Sequence, residues 1–375
     1  MREGALFRTL CLLSVIALAA PMLVGSVSAG KGSGHPTTET TYNLYFGDLH
    51  THTGYSDAYD DSTPWDAYAA AVDAGADFMA VTDHVQIWNA YDAYVMDEVE
   101  WADTLDAAAS FTSKDFVAMA GYEAWMLANC GEVNVFNIDT LPPRETLGYR
   151  YDRLTNFYQW LSEQDGAIGQ FNHPLYVSEN FMDYTGLSED SDGSMNIIEA
   201  YNDEDYENSY IMALDQGWHL MPSANSDTHY SDWIASHEMR TVLLAESLTP
   251  EDLYAAMSAR RGYATLDKNL EIQYTLNEAV MGSIIEDSPS SCDIVVHVVD
   301  PDGESDAITK IEIISNNGVI VDSKIISDGP LSDVTWTTTI TPTDGNYYYV
   351  RVTTASPLEG TEAGVTAWTA PIWIA

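Results

Sequence analysis

Basic side chains are scarce in this sequence: 14 Lys and Arg stand against 58 Asp and Glu, a formal charge of −44. That balance argues against nucleic acid or anionic lipid as a partner, since both are held by clustered positive charge. Self-repulsion on this scale is relieved by screening ions, so the composition suits a saline or cation-rich medium as well as an ordinary one. Cysteine is almost absent. Of the three, Cys11 lies in the leading segment, while Cys130 and Cys292 fall in separate predicted domains, so two separate buried thiols are expected and no disulfide-stapled scaffold. Beyond the first residues there is no long apolar run, so no stable membrane span is expected. No motif for a Ser-His-Asp or Cys-His nucleophile is present.

The leading segment has the pattern of an export signal. Arg2 and Arg8 precede an apolar stretch from Leu10 to Val24, interrupted by Pro21, and Val27-Ser28-Ala29 offers a small-x-small cleavage site. The expectation is a signal peptide over 1–29, a flexible Gly/Ser/Thr-rich lead-in over 30–41, and a secreted or cell-surface protein.

From Tyr42 short apolar strands alternate with helical stretches. Asn43 to Phe46 is the first strand; Ser62 or Thr63 caps a helix with Pro64 in its first turn and Gly75 at its end; Phe78 to Val81 is the next strand. The rhythm recurs at Phe116–Gly121, Ala167–Phe171, Met195–Ala200 and His219–Ala224, which predicts an α/β domain over 42–270 with a parallel sheet, open or closed into a barrel. After Leu270 the helical stretches stop. Runs near 292–299, 308–314, 319–326, 334–340 and 347–353, with Asn317-Gly318 as a type I′ turn signal, predict a small antiparallel, Ig-like β-sandwich over 271–375.

The histidines and carboxylates fall where strands end. His50-Thr51-His52 closes the first strand, and residues two apart on a strand share a face, so both imidazoles and Asp48 can enter one cleft. Asp57 follows in the next loop. Thr82-Asp83-His84, Tyr122-Glu123, Asn172-His173-Pro174 and Ser226-Asp227-Thr228-His229 each end a later strand. A lone His-x-His is more often structural. Many such groups at one rim are another matter, because buried charge on that scale needs compensation by metal ions. Imidazole with carboxylate suits zinc, iron or manganese, and bridging carboxylates suit a multinuclear site.

The segments Phe46-Gly47-Asp48-Leu49-His50-Thr51-His52-Thr53, Ala80-Val81-Thr82-Asp83-His84, Tyr122-Glu123, Asn172-His173-Pro174 and Ser226-Asp227-Thr228-His229 resemble the motifs of the PHP (polymerase and histidinol phosphatase) superfamily. Thr265 to Leu270, Met281-Gly282-Ser283 and Ala370-Pro371-Ile372-Trp373 add a narrower likeness to its secreted CehA/McbA branch, which places a β-sandwich after the barrel. The resemblance implies a distorted (β/α)7 barrel and two or three divalent ions. By motif, His50, His52, Glu123 and Asp227 would hold the first ion and Asp57, His84 and His229 the second. A third would use Glu123, His173 and a further residue. At that last position the family has a His in Gly-His-x-Asn; this chain has Gly131-Glu132-Val133-Asn134. Glu132 is therefore either a harder ligand, favouring manganese, iron or magnesium, or a sign that the third site is unused.

The implied chemistry is hydrolysis with a metal-bound hydroxide as nucleophile, acting on a small anionic substrate, a phosphate mono- or diester. Carbamate, ester or amide hydrolysis at the same site is the nearest alternative. An amidohydrolase barrel also opens on His-x-His, but it needs a Lys at a later strand end, and Lys114 precedes its strand. A non-catalytic envelope or binding protein is the remaining alternative. For substrate contacts, Arg240 and the Arg260-Arg261 pair are the basic candidates, and Tyr122, Trp125 and Trp88 the aromatic ones. His35, His219, His237 and His297 have no motif context, and Asp203-Glu204-Asp205 reads as a solvated loop with weak calcium binding as its minor reading.

Overall fold

From Tyr42 strands alternate with helices, and after Leu270 the α-helices stop among the described residues. The computed structural model describes residues 42–86, 95–125, 130–143, 152–175, 179–286, 289–327, 329–355 and 364–375. The expected signal peptide and lead-in, His35 and Trp88 lie outside the described residues. Among the described residues, no helix is long and apolar enough to cross a membrane.

The first part is a mixed sheet flanked by helices. Its strands are β1 (Asn43–Asp48), β2 (Phe78–Val81), β3 (His84–Gln86), β4 (Val117–Trp125), β5 (Glu132–Phe136), β6 (Ile168–Phe171), β7 (Met195–Asn202), β8 (Glu204–Asp205), β9 (Met221–Ala224), β10 (Arg240–Ala245) and β11 (Gly262–Thr265). β1, β2 and β4 are parallel neighbours, as are β6, β7 and β9. All four residues of β2 are buried, with Phe78 and Ala80 in one apolar cluster and Met79 and Val81 in the other. A strand covered on both faces has to read as continuous apolar sequence, and this one does. The helix Pro64–Ala74 starts and stops as expected: the Asp66 carboxylate accepts from Thr63 N (2.9 Å) and the Thr63 hydroxyl (2.7 Å), and Gly75 leaves the helix at φ 80°.

The regular strand–helix alternation breaks at β5. It runs antiparallel to both β4 and β6. The connection from Trp125 to Glu132 is too short for the dozen or so residues a parallel crossover needs, so the chain turns straight back. The sheet also curls. Thr51, past the end of β1, bridges Thr228, past the end of β9, and this seam is held by His52 N to Thr228 O (3.0 Å) and Asp227 N to His50 O (2.9 Å). Asp48 lies on the same seam, accepting from His50 N (2.9 Å) and Ser226 N (3.1 Å), and does not enter the cleft as a free carboxylate.

After Leu270 no α-helix occurs among the described residues. Strands Glu271–Leu276, Cys292–Val299 and Asp333–Ile340 form an antiparallel sheet with the short strand Ala279–Val280. Burial alternates cleanly along Cys292–Val299, the mark of a strand with one face on a core. A second layer pairs Ile308–Ser315 with Val319–Ile325 and Tyr347–Thr354. Asn317 (φ 58°) and Gly318 (φ 68°) make the tight turn between the first two. This second layer is not separate from the first part: Ala367–Thr369 pairs antiparallel with both Tyr347–Thr354 and β11, and Thr41–Ala375 is one compact unit. Cys130 and Cys292 are both buried and not bridged.

Candidate metal centre

Strand β1 delivers its histidines by alternation. His50 and His52 are fully buried, with their Nε2 atoms 3.2 Å apart. Gly47 makes this placement possible: a Cβ there would lie 2.2 Å from Phe78 O, so only glycine lets β1 run this close to β2. His84 and Glu123 come from the paired register of β3 and β4, where they face each other directly. Asp227 and His229 follow β9, Asp227 in the left-handed region at φ 49°. Glu132 opens β5, opposite Trp125 on β4.

These side chains converge. Three groups have ligand atoms within 4.8 Å of one another and can hold divalent ions: His50, His52, Glu123 and Asp227; His52, Asp57, His84 and His229; and Glu123, Glu132 and His173. Glu123 is common to two groups, and so is His52. The Glu123 carboxylate lies 3.2 Å from His50 Nε2, 3.3 Å from His52 Nε2 and 3.2 Å from both His84 Nδ1 and His173 Nε2. All nine residues singled out from the sequence for metal binding thus stand at one mouth, including Glu132, whose carboxylate is 3.4 Å from His173 Nε2.

The donor set fits metal ions better than it fits hydrogen bonding. His84 Nδ1 and Asp227 Oδ1 are buried without a hydrogen bond, although they lie 3.2 Å from Glu123 Oε2 and 2.9 Å from His52 Nε2. Close approach without hydrogen-bond geometry is what lone pairs aimed at a common ion produce. Protonation tells the same story. Burial disfavours charge on His52, but Asp227 and Glu123 outweigh it and raise its pKa to about 9. His173 is likewise lifted to about 9 by Glu123 and Asp227 against its burial. Despite burial, the histidines hold Asp57, Glu123 and Asp227 well below the usual carboxylate range. Glu132 goes the other way: burial and the neighbouring Glu123 push it up to about 7.

Sequence reasoning missed the residues that orient these groups. Glu199, fully buried on β7, lies 2.9 Å from His50 Nδ1 and accepts from His173 N (2.6 Å), Asn202 Nδ2 (2.9 Å) and Asn225 Nδ2 (2.9 Å). It fixes the ring of His50 and the backbone of His173 at once. The one signal was a lone acid in the apolar run Ile197-Ile198-Glu199-Ala200. Asn172 holds Glu123 Oε1 at 2.7 Å, and Asp83 accepts from Thr53 N (2.7 Å) and the Ser56 hydroxyl (2.7 Å), setting the loop that carries Asp57.

The mouth is a cleft of about 650 Å³, walled by Asp57, His84, Glu123, Glu132, His173, Asp227 and His229 together with Trp125, Asn202, Asp203, Glu204 and Tyr206, while His50 and His52 lie fully buried beneath it. Trp125 is where the sequence put it, its ring 5.6 Å from His84. Arg240 is not. It is buried and does not line the cleft, and its guanidinium donates to the carbonyls of His237 (2.7 Å), Met239 (2.6 Å) and Ile234 (3.2 Å). Arg260 donates to His219 O and Asp192 O, and Arg261 lies over the Tyr42 ring. Tyr122 packs into the core against Trp101. No Lys or Arg lines the cleft among the described residues.

No family model and no curated protein matches the sequence. Among solved structures, the chain is similar to a two-domain protein from Bacteroides vulgatus ATCC 8482 containing a predicted PHP-like metal-dependent phosphoesterase. Identity is 15%, 86% of this chain and 95% of that chain are covered, and the TM-score is 0.47. It is also similar to PsfC from Pseudomonas syringae PB-5123, at 18% identity over 54% of this chain and 82% of that chain, with a TM-score of 0.32. At such identities the function has to be read from the side chains themselves.

Proposed function

We propose that this chain is a PHP-type metal-dependent hydrolase that cleaves a small phosphate ester. One observation carries the reading: three ligand groups, linked in a chain by His52 and Glu123, stand together at the mouth of a curled sheet. Divalent ions bound there would lower the pKa of a coordinated water towards neutrality and polarise the electrophile. The protein's own part is to hold the donors in place. Glu199 orients His50, Asn172 orients Glu123, and Asp83 orients the Asp57 loop. Trp125 and Tyr206 offer aromatic walls to the non-reacting part of the substrate. The distorted (β/α)7 barrel and the CehA/McbA likeness remain readings from the motifs, as does export.

The cleft also favours one class of ester over another. A phosphate monoester dianion is ordinarily met by basic side chains as well as by metal ions, and here the walls add Asp203 and Glu204 instead. A diester, with one negative charge, suits such walls better. The same observation favours a second reading, hydrolysis of a carbamate, ester or amide, which carries no charge at the reacting group.

The test is elemental analysis of the purified protein alongside a screen of aryl phosphate, phosphodiester and carbamate substrates. Two or three equivalents of divalent metal are expected, with turnover lost in His50→Ala and Asp227→Ala and retained in His237→Ala. Full activity after exhaustive chelation, or in both ligand variants, would falsify the mechanism.

A further inference from the structure

Beside the metal centre stand two aromatic rings that hold no ion. Tyr59 is 75% exposed and Tyr230 59% exposed, yet their rings stack on each other, with centroids 4.8 Å apart and planes 27° apart. Tyr59 lies two residues beyond the ligand Asp57, and Tyr230 directly follows the ligand His229. The Tyr59 ring is 6.5 Å from the imidazole of His229, whose Nε2 is 3.2 Å from Asp57 Oδ2. A third ring, Trp125, is 5.6 Å from His84, another member of the same ligand group.

The pair is fixed by its backbone. Tyr59 N donates to His229 O (3.0 Å), and Tyr230 N to the Thr228 hydroxyl (3.2 Å). The Ser231 hydroxyl donates to Asp60, which ties the two ligand-bearing loops together. Aromatic side chains ordinarily stabilise a fold by being buried, and these two forgo most of that gain. Their exposure leaves ring face open to solvent. The polar side chains beside them are spent on each other, Ser231 on Asp60 and Thr228 on Asp232 (2.6 Å), so the lip offers flat ring faces more than hydrogen bonds. Such a surface takes a planar aromatic group and gives less to a flexible aliphatic chain.

We propose that Tyr59 and Tyr230 form a stacking subsite for an aromatic ring carried by the substrate, beside the ligand group of His52, Asp57, His84 and His229. The inference rests on the hydrolytic reading and narrows its substrate class to phosphodiesters that bear an aromatic group. The ring, and not the phosphate, is what this lip selects.

The experiment measures equilibrium binding of diphenyl phosphate and of dibutyl phosphate to the whole protein loaded with manganese, by calorimetry. Both are monoanionic diesters with poor leaving groups, so affinity is read without turnover. Wild type is expected to prefer diphenyl phosphate by about 5–100-fold. Tyr59→Ala and Tyr230→Ala should each lose most of that preference, while Tyr59→Phe, which keeps the ring, should retain it. Both rings are exposed, so neither alanine variant should unfold or lose manganese, which thermal scans and elemental analysis check. Equal affinity for the two esters in wild type, or a preference that survives both alanine variants, overturns the subsite and leaves the hydrolytic reading standing. A preference lost only together with the bound manganese also overturns it, since the centre and not the stack is then at fault. Binding of neither ester overturns both.

Discussion

At the scale of single residues, the metal centre is a bargain between protons and ions. Without metal, histidines and carboxylates neutralise each other, with His52 and His173 raised to about 9 and Glu132 to about 7. Each of these groups binds protons more tightly folded than unfolded, where His titrates near 6.5 and Glu near 4.3. The histidine contribution to stability is therefore complete below about pH 6.5 and is lost as pH rises through about 9; that of Glu132 is lost through about 7. We expect the Tm of chelator-treated protein to fall steadily from pH 6.5 to 9, and that of metal-loaded protein to hold, because ions replace the protons. Thermal scans across that range measure it. Glu199→Gln keeps the shape but weakens the hold on His50, and should cost about 10–100-fold in metal affinity by chelator competition; because both Glu199 oxygens accept hydrogen bonds, the new amide group faces a donor and the Tm of the metal-free protein should fall as well. Glu132→His should shift the preference of its group towards zinc, read from metal titrations of both proteins. Most of the ligands were legible in the sequence because they follow an apolar run; Asp57 lies in the loop beyond β1, and Glu132, which opens β5, was reached through the motif resemblance. Glu199 was not, since a carboxylate within a strand announces nothing until the fold shows which ring it faces.

At the scale of elements, the parallel strands were legible and the antiparallel ones were not: β5 against β4 and β6, and β10 against β1 and β11, depart from the expected parallel sheet. β1, β2, β4, β6, β7 and β9 all lie at apolar runs read from the sequence, and the helix Pro64–Ala74 keeps its expected ends. β5 escaped notice because Glu132-Val133-Asn134-Val135-Phe136 was read for its missing histidine and not for its alternation. Its antiparallel course, set by a short connection, is what turns Glu132 towards His173. Arg240 misled for a related reason: on an exposed strand its charge would face solvent or substrate, but β10 is buried on every residue and the guanidinium is spent on carbonyls. β1 approaches β2 closely at Gly47. Gly47→Ala should destabilise by about 1–3 kcal/mol and, by shifting the strand that carries His50 and His52, lower metal affinity as well. Denaturant unfolding and metal titration on the same variant test both; a loss of stability with unchanged affinity would show that the strand end moves independently of its middle.

At the scale of the whole molecule, the sequence suggested an α/β region followed by a β-rich one, while the pairing that makes Thr41–Ala375 one compact unit came only with the coordinates. The pairing of β11 with Ala367–Thr369 joins segments with no local pattern in common. A chain cut after Leu270 would expose the edge of β11 as an unpaired strand, and we expect it to be insoluble or monomer-poor, as sedimentation of the truncated protein would reveal. That pairing also bears on timing. A ribosome delivers β11 well before Ala367–Thr369, so the edge of β11 stays open until that strand has been made. β1, whose register with β10 spans most of the first region, waits in the same manner. Contacts this distant in sequence make for slow folding, and the unfinished chain has to stay dispersed in the meantime. The dense negative charge acts on this stage too, since like-charged incomplete chains repel one another before Ala367–Thr369 has paired with β11.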